Sequence, residues 1–422
     1  MAVIAVLAFV AIACGDDDDD GDGVVVIGSV DVLGIWGDEE LLSFEAMVAL
    51  WEAATGGTME FTGQRGVGAL ITTRVEGGNP PDVAIPAEVG LFRDFARNGD
   101  LIPLSNCAGL EDAIRNNYPD GFIELGTVDG TLYGFFMKAD IKGTIWYNPT
   151  FFEANGYQPL TAASTFDDLL ALSQQIADDG VVPPWSIGVE SGDDSGWPGT
   201  DWFQVILLNE PGGAEVNDGL IDGSIPFTDD RVKAAWEKFG DIALTEGWVS
   251  QGGAEGINAT NFVDAIFPLF EDPPTAALHH QASFVPIEIA AQFPNAVAGE
   301  DYNFFPWPGG AAVGSSNIVY AFNDDPTTCS FLSHLASADA QQVWVDRGGF
   351  ISVNTALNLD AYPDAVTRAA AQALTEVEVL RFDIDDTIGG TVQRAFFAGA
   401  TQYLADPDSL DSILAALEAA RE

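Results

Sequence analysis

Between residues 24 and 86 the hydrophobic period switches repeatedly between that of a strand and that of a helix, and this constrains the chain most. VVVIGSVDVLGIW (24–36) reads as a first strand. In DEELLSFEAMVALWEAA (38–54), Leu41, Phe44, Met47, Val48 and Trp51 recur at helical spacing, and Thr55-Gly56-Gly57 stops the helix. TMEFTG is a second strand, 66–76 a helix, Asn79-Pro80-Pro81 a turn and DVAIP a third strand. Alternation of this kind implies a parallel sheet wrapped by helices. The pattern returns with GTIWYN as a strand, 166–179 as a helix and WSIGVE as a strand. Helical stretches at 230–245, 327–346 and 366–380 complete a second lobe. No Gly/Ser linker separates the two α/β units, so multiple crossovers join them.

The N-terminus addresses the compartment. Residues 2–13 are an unbroken apolar run followed by Cys14-Gly15 and DDDDDGDG. Twelve residues are too few to span a bilayer as a mature helix but suit the core of a signal peptide. Ala13 before Cys14 resembles a lipobox, where the cysteine takes a lipid and the leader is removed. Residues 1–14 are therefore expected to be a signal peptide ending in Cys14, and 15–23 an acidic tether extended by like-charge repulsion.

The chain of 422 residues carries 65 acids against 15 Lys and Arg, a net −50. Removing the six aspartates at 16–20 and 22 leaves −44 on the body, whose only lysines are Lys138, Lys142, Lys233 and Lys238. With no basic run, nucleic acid is excluded as a partner. Such a surface stays hydrated in salt, where screening removes self-repulsion, and suits saline water. Of three cysteines, Cys107 and Cys329 remain to pair in an oxidising space, although sequence alone does not bring them together.

Several stretches, in order, resemble the extracellular solute-binding proteins of carbohydrate ABC transporters, especially the α-glucoside branch. They include GIWGDEELLSFEAMVALWEAATG, TTRVEGGNPPDVAIP, GTLYGFFMKADIKGTIWYNPTFFEANGY, PPWSIGVESGDDSGWPGTDWF, EDPPTAALHHQASF, WVDRGGFISVN and VLRFDIDD. The resemblance implies a class II periplasmic-binding-protein-like fold, two α/β lobes joined by a multi-crossover hinge with the ligand cleft between them. It places lobe 1 at 24–142 plus 277–322 and lobe 2 at 143–276 plus 323–422. It also implies a sugar ligand, a membrane permease as partner, an extracytoplasmic location and a monomer. Ser186 and Ala276 stand in segments where that family is expected to carry cysteines, a departure from the nearest branch.

Sugars are read by aromatic faces and by planar groups that bond hydroxyls in pairs. Trp36, Asp38 and Glu39 follow the first strand, where open α/β sheets gather ligands; the acids equally suit the positive end of the next helix. Trp197, Asp201 and Trp202 share a Gly/Pro-rich segment that is not expected to be helical throughout. Either Trp is a candidate stacking platform, and at least one is expected in the core. Glu88 follows DVAIP and faces the cleft by resemblance, or is a solvated loop acid. Arg65 donates to hydroxyls or pairs with Glu88. His279 and His280, adjacent on a strand, point to opposite faces and make no two-His metal site. By resemblance His280 and Gln281 line the cleft; the rival is a core histidine. Phe350 and Asp383 are expected on the cleft edge, with Arg381 pairing Asp383, Asp385 or Asp386 as the structural alternative. Trp307 is a rim aromatic or a loop anchor.

No Gly-x-Ser-x-Gly elbow, phosphate loop or His-Glu-x-x-His helix occurs, and with 65 acids a carboxylate pair carries no weight. The expectation is a binding protein with no metal and no cofactor. The alternatives are a secreted carbohydrate-acting enzyme or adhesin, or a receptor for a non-sugar solute such as a polyamine, since cations also sit on indole faces.

Overall fold

The computed structural model describes residues 27–421. The leader, Cys14 and the acidic tether lie outside them.

The strand Ser29–Gly34 is flanked in parallel by Thr58–Gly63 and Val83–Ile85, as the alternation predicts. Beyond them the sheet turns mixed. Ala312–Ala321 runs antiparallel to both Val83–Ile85 and Gly134–Lys142, and short strands at Ile351–Ser352 and Leu380–Phe382 complete seven. The first helix spans Asp38–Thr55. It opens on Asp38, Glu39 and Glu40, which suit the positive end of its dipole, and closes on left-handed Gly56. Helices Val67–Glu76 and Phe166–Asp179 also match their periodicity. WSIGVE forms only isolated bridges, from Trp185 to Val249 and Leu278 and from Glu190 to Asn261.

Two large apolar cores, with a smaller one around Trp146, Phe262 and Phe284, divide the described residues differently from the expected boundaries. Phe331, Leu332, Leu335, Trp344 and Val345 enter the core of the seven-stranded sheet. Helices Pro326–Leu335 and Ala338–Arg347 pack on helix Asp38–Thr55, and Ala365–Glu376 on strand Gly134–Lys142. They belong to lobe 1, not lobe 2, because each buries its apolar face there. Conversely, Leu278–Gln281 and Asn303–Pro306 flank Thr144–Tyr147 in a three-stranded antiparallel sheet, and Leu278 and Phe305 enter the second core. Lobe 2 is completed by helices Trp197–Leu208, Gly390–Ala405 and Leu410–Ala420. The chain crosses between lobes near Gly143, at 307–311 and near Asp383. Gly143 has φ +94° and a Cβ there would stand 2.7 Å from Val205 Cγ2, so only glycine fits this crossing.

Cys107 and Cys329 form a disulfide within lobe 1. The segment expected not to be helical throughout is helical from Trp197 onward, with only Gly196 outside. Pro198 sits in the first turn, where its missing N–H costs no helical bond, and Gly196 supplies the positive φ of 112° that starts it.

Candidate functional site

A cleft opens between the lobes and encloses about 100 Å³ of free space. Its lobe 1 wall is the strand Gly134–Lys142. Alternate residues of a strand share a face, so Lys138, Asp140 and Lys142 all point into the cleft. Ser315 and Asn317, paired in register with Asp140 and Lys138, extend that face, and the register slips just after Asn317. Trp36, Glu40, Arg65 and Glu88 come from the ends of the parallel strands and the helices that follow. Lobe 2 contributes Asp194, Trp197, Phe262, Phe284, Asp385, Asp386, Gln393 and Phe397.

The charges on the walls are locked into pairs. Lys138 Nζ lies 2.5 Å from Asp140 and 3.2 Å from Glu40. Lys142 donates to Asp201 at 2.7 Å and to Asp383 at 2.6 Å. Arg65 stands 4.0 Å from Glu40, with its guanidinium 4.9 Å from the Phe262 ring centre across the cleft. Burial opposes the charge on Lys142, yet Asp201 and Asp383 outweigh it and hold the ammonium well above the ordinary lysine range. Burial likewise opposes charge on Asp383, but Lys142 and Gln204 keep its carboxylate below the usual value. Asp385 accepts from Thr200 and Gln204 and Asp386 from Gln393, but neither has a paired cation to match its burial, and Asp383 repels both, so both are pushed well up. Asp201 rises to about 7 through burial, despite Lys142. Glu88 rises to about 7, through burial first and Asp194 second. The walls therefore combine ionised acceptors, neutral carboxyl donors and three cations.

Two polar atoms on these walls are sealed from solvent without a hydrogen-bond partner among the described residues: Trp197 Nε1 and Glu88 Oε2. The Trp197 ring stands edge-on to Phe262 at 5.1 Å, with Lys142 Nζ 5.4 Å from its centre. An indole N–H and a carboxyl oxygen left open at a cleft wall are the groups a polyhydroxylated ligand would satisfy.

The structure brings Trp36, Arg65, Glu88 and Trp197 together on the cleft, with Asp201 and Asp383 directly behind Lys142. Asp38 is exposed, with φ +46°, at an outer mouth of the same seam. Glu39 is half-buried, and its carbonyl accepts from Ser43. Glu88 does not pair with Arg65, which turns to Glu40 instead. The remaining candidates are placed elsewhere. Trp202 is enclosed by Trp185, Phe239, His280 and Trp307, with ring centres 4.7–5.6 Å away. His280 is buried in that cluster, which holds its imidazole neutral by desolvation, and Trp307 is core rather than rim. Gln281 spends its side-chain oxygen on Ala282 N–H and its carbonyl on Thr144 and Trp146. Phe350 packs on Trp344 in lobe 1. Arg381 pairs with Asp218, not with the nearby aspartates.

Glu40, Asp140, Asp194, Phe262 and Phe284 were not singled out from the sequence, which marked Lys138 and Lys142 only as scarce charges and Asp385 and Asp386 only as partners for Arg381. A signal existed for the lysines: two of only four stand four apart in an apolar strand segment, FFMKADIK.

Two α/β lobes, three crossings and a walled cleft define a ligand-capturing clamp. The bacterial extracellular solute-binding protein family matches residues 46–373. The chain is 35% identical to the osmoprotective compounds-binding protein GgtB of Synechocystis sp., over 90% of this chain and 89% of that one. It is 33% identical to the alpha-glucosides-binding periplasmic protein AglE of Rhizobium meliloti, over 91% and 85%. Among solved structures, a chitin oligosaccharide binding protein superposes with a TM-score of 0.79 at 17% identity, over 95% of this chain and 100% of that one. The solute-binding protein RafE in complex with raffinose gives 0.75 at 17% identity, over 93% and 98%. The chain belongs to the extracellular solute-binding proteins of ABC transporters. It is a class II clamp, a receptor rather than an enzyme, working outside the cytoplasm with a membrane permease as partner.

Proposed function

We propose that the cleft captures a small neutral saccharide, an α-glucoside of one to three units, and that the clamp delivers it to the permease as a monomer tethered through a lipid on Cys14. The observation that carries this reading is the composition of the walls. Trp36, Trp197, Phe262 and Phe284 offer apolar faces for sugar C–H surfaces, and the polar groups between them mix donors with acceptors. The α-glucosides named for AglE support this choice, and the osmoprotective compounds named for GgtB widen the panel of solutes to test. The strongly acidic body suits the saline conditions in which such a solute is useful.

A polyamine is disfavoured by the same walls. A polycation would meet Arg65, Lys138 and Lys142, while Glu40, Asp140, Asp201 and Asp383 are taken up by those cations and burial pushes Glu88, Asp194, Asp385 and Asp386 toward their neutral forms. A thermal-shift panel of mono-, di- and trisaccharides alongside spermidine tests the choice. An α-linked glucoside is expected to raise the melting temperature, because a ligand that binds only the folded state stabilises it. A shift with spermidine and none with any sugar contradicts the reading, and release of smaller sugars would point instead to an enzyme.

A further inference from the structure

Glu88 stands at the N-terminal end of helix Val89–Asn98 in lobe 1, where lobe 2 presses closest. Gly66 N–H donates to Asp194 Oδ2 of the opposite lobe at 2.6 Å. Two residues beyond Glu88, a methyl on Gly90 would stand 2.2 Å from the Ile388 carbonyl oxygen. On its own lobe, Glu88 Oε1 fills the space beside Gly68, where a Cβ would lie 2.5 Å away. Oε2 is buried and has no partner among the described residues.

The titratable groups facing Glu88 come from three directions. Asp194 is supplied by the loop before helix Trp197–Leu208, Asp386 by helix Ile384–Ile388, and the Tyr320 hydroxyl by strand Ala312–Ala321. Arg65 and Lys142 share the cleft but are directed to Glu40 and Phe262, and to Asp201 and Asp383. Two of the three facing groups are thus carboxyls of the other lobe. With the lobes in contact as they are here, both carboxyls act on Glu88 and its Oε2 is cut off from solvent. Backbone N–H groups of Ala87, Glu88 and Gly68 favour a charged Glu88, but burial and Asp194 outweigh them, and the neutral carboxyl gains a donor at Oε2.

We propose that closure of the lobes over the ligand takes up one proton from solvent, held on Glu88, and that the neutral carboxyl donates from Oε2 to a ligand oxygen. This rests on the saccharide reading of the cleft. Burial, with Asp194 adding to it, moves Glu88 from an ordinary 4.5 to about 7 in the closed form. In the open form the carboxyl regains water and returns toward its ordinary value. Between these values the closed form binds more protons than the open one, so affinity falls as pH rises through that window. The slope reaches at most about tenfold per unit, and affinity levels off above about pH 7. Asp385 and Asp386 are also raised, by burial first and Asp383 second, so substitution of Glu88 itself is what assigns the uptake to it.

Calorimetric titration of trehalose and maltose, at about pH 5.5 and about pH 8 in buffers of different ionisation enthalpy, tests this. Tighter binding at the lower pH, with net proton uptake, is expected of the wild-type chain. Glu88→Gln, whose amide donates at every pH, is expected to lose both the pH dependence and the uptake. Asp194→Asn keeps Glu88 and is expected to move the window to lower pH. Wild-type binding with no proton uptake, or a pH dependence that survives Glu88→Gln, overturns the proposal while leaving the saccharide reading intact. No heat with either sugar at either pH counts against the saccharide reading itself.

Discussion

Lys142 donates to Asp383 Oδ2 at 2.6 Å, joining two of the three places where the chain passes between lobes. Lys142 is the last residue of its strand before Gly143, and Asp383 follows the strand Leu380–Phe382 directly. The same ammonium reaches Asp201 at the start of helix Trp197–Leu208. One cation therefore ties together the hinge and the floor of the cleft.

Removing that cation leaves buried carboxylates without compensation. Lys142→Met is expected to cost about 3–5 kcal/mol of unfolding free energy near neutral pH. Without the ammonium, burial raises Asp383 above its unfolded value. The lost stability should then return as pH falls below the ordinary carboxylate range and be absent above it. Urea titrations at acid and neutral pH check this; a loss below about 1 kcal/mol at neutral pH would show the pair to be dispensable.

Two tryptophans five residues apart should behave in opposite ways. Trp197 lines the cleft and Trp202 is sealed in the lobe 2 core. Trp197→Ala is expected to weaken sugar binding by about 2 kcal/mol or more, roughly thirtyfold, with little change in the melting point of the free protein. Trp202→Ala is expected to cost about 3–5 kcal/mol of stability. Equal effects of the two on unfolding would contradict the placement.

That contrast shows what the sequence could and could not reveal. Strand–helix alternation specified the parallel half of the sheet because each period is local. The Trp197–Trp202 segment was harder, because its glycines and proline suggest a loop until Gly196 and Pro198 are placed at a helix start. Which tryptophan faces the cleft depends on what Trp185, Phe239 and Trp307 enclose from distant positions. Residues such as Asp140 and Asp194 were hidden among 65 acids. The lobe boundaries failed for the same reason, since helices of 326–376 carry no local mark of which core they enter.

The disulfide lies in lobe 1, away from the cleft walls, and with a sequence separation of 222 it closes a loop that runs out through lobe 2 and back. Cys107→Ser with Cys329→Ser is expected to lower stability by about 2–5 kcal/mol. Sugar affinity at a temperature where the variant remains folded should be unchanged. Chemical denaturation and calorimetry read the two quantities separately, and a large affinity loss would link the bond to the cleft.

Closure can be blocked without touching the cleft. Gly90→Ala places a methyl against the Ile388 carbonyl of the other lobe, while alanine suits the helix that carries it. Overpacking of this kind costs about 1–3 kcal/mol, which should weaken capture by about tenfold to a hundredfold. Small-angle scattering should show that sugar no longer contracts the variant as it does the wild-type chain. Normal contraction would mean that the seam yields.

Isothermal titration of the wild-type chain with α-linked disaccharides, against spermidine as control, tests the central claim most directly. One saccharide per chain, with binding sharply weakened in Trp197→Ala and silence from spermidine, is the predicted result. Stoichiometric spermidine binding, with no heat from any saccharide, would contradict it.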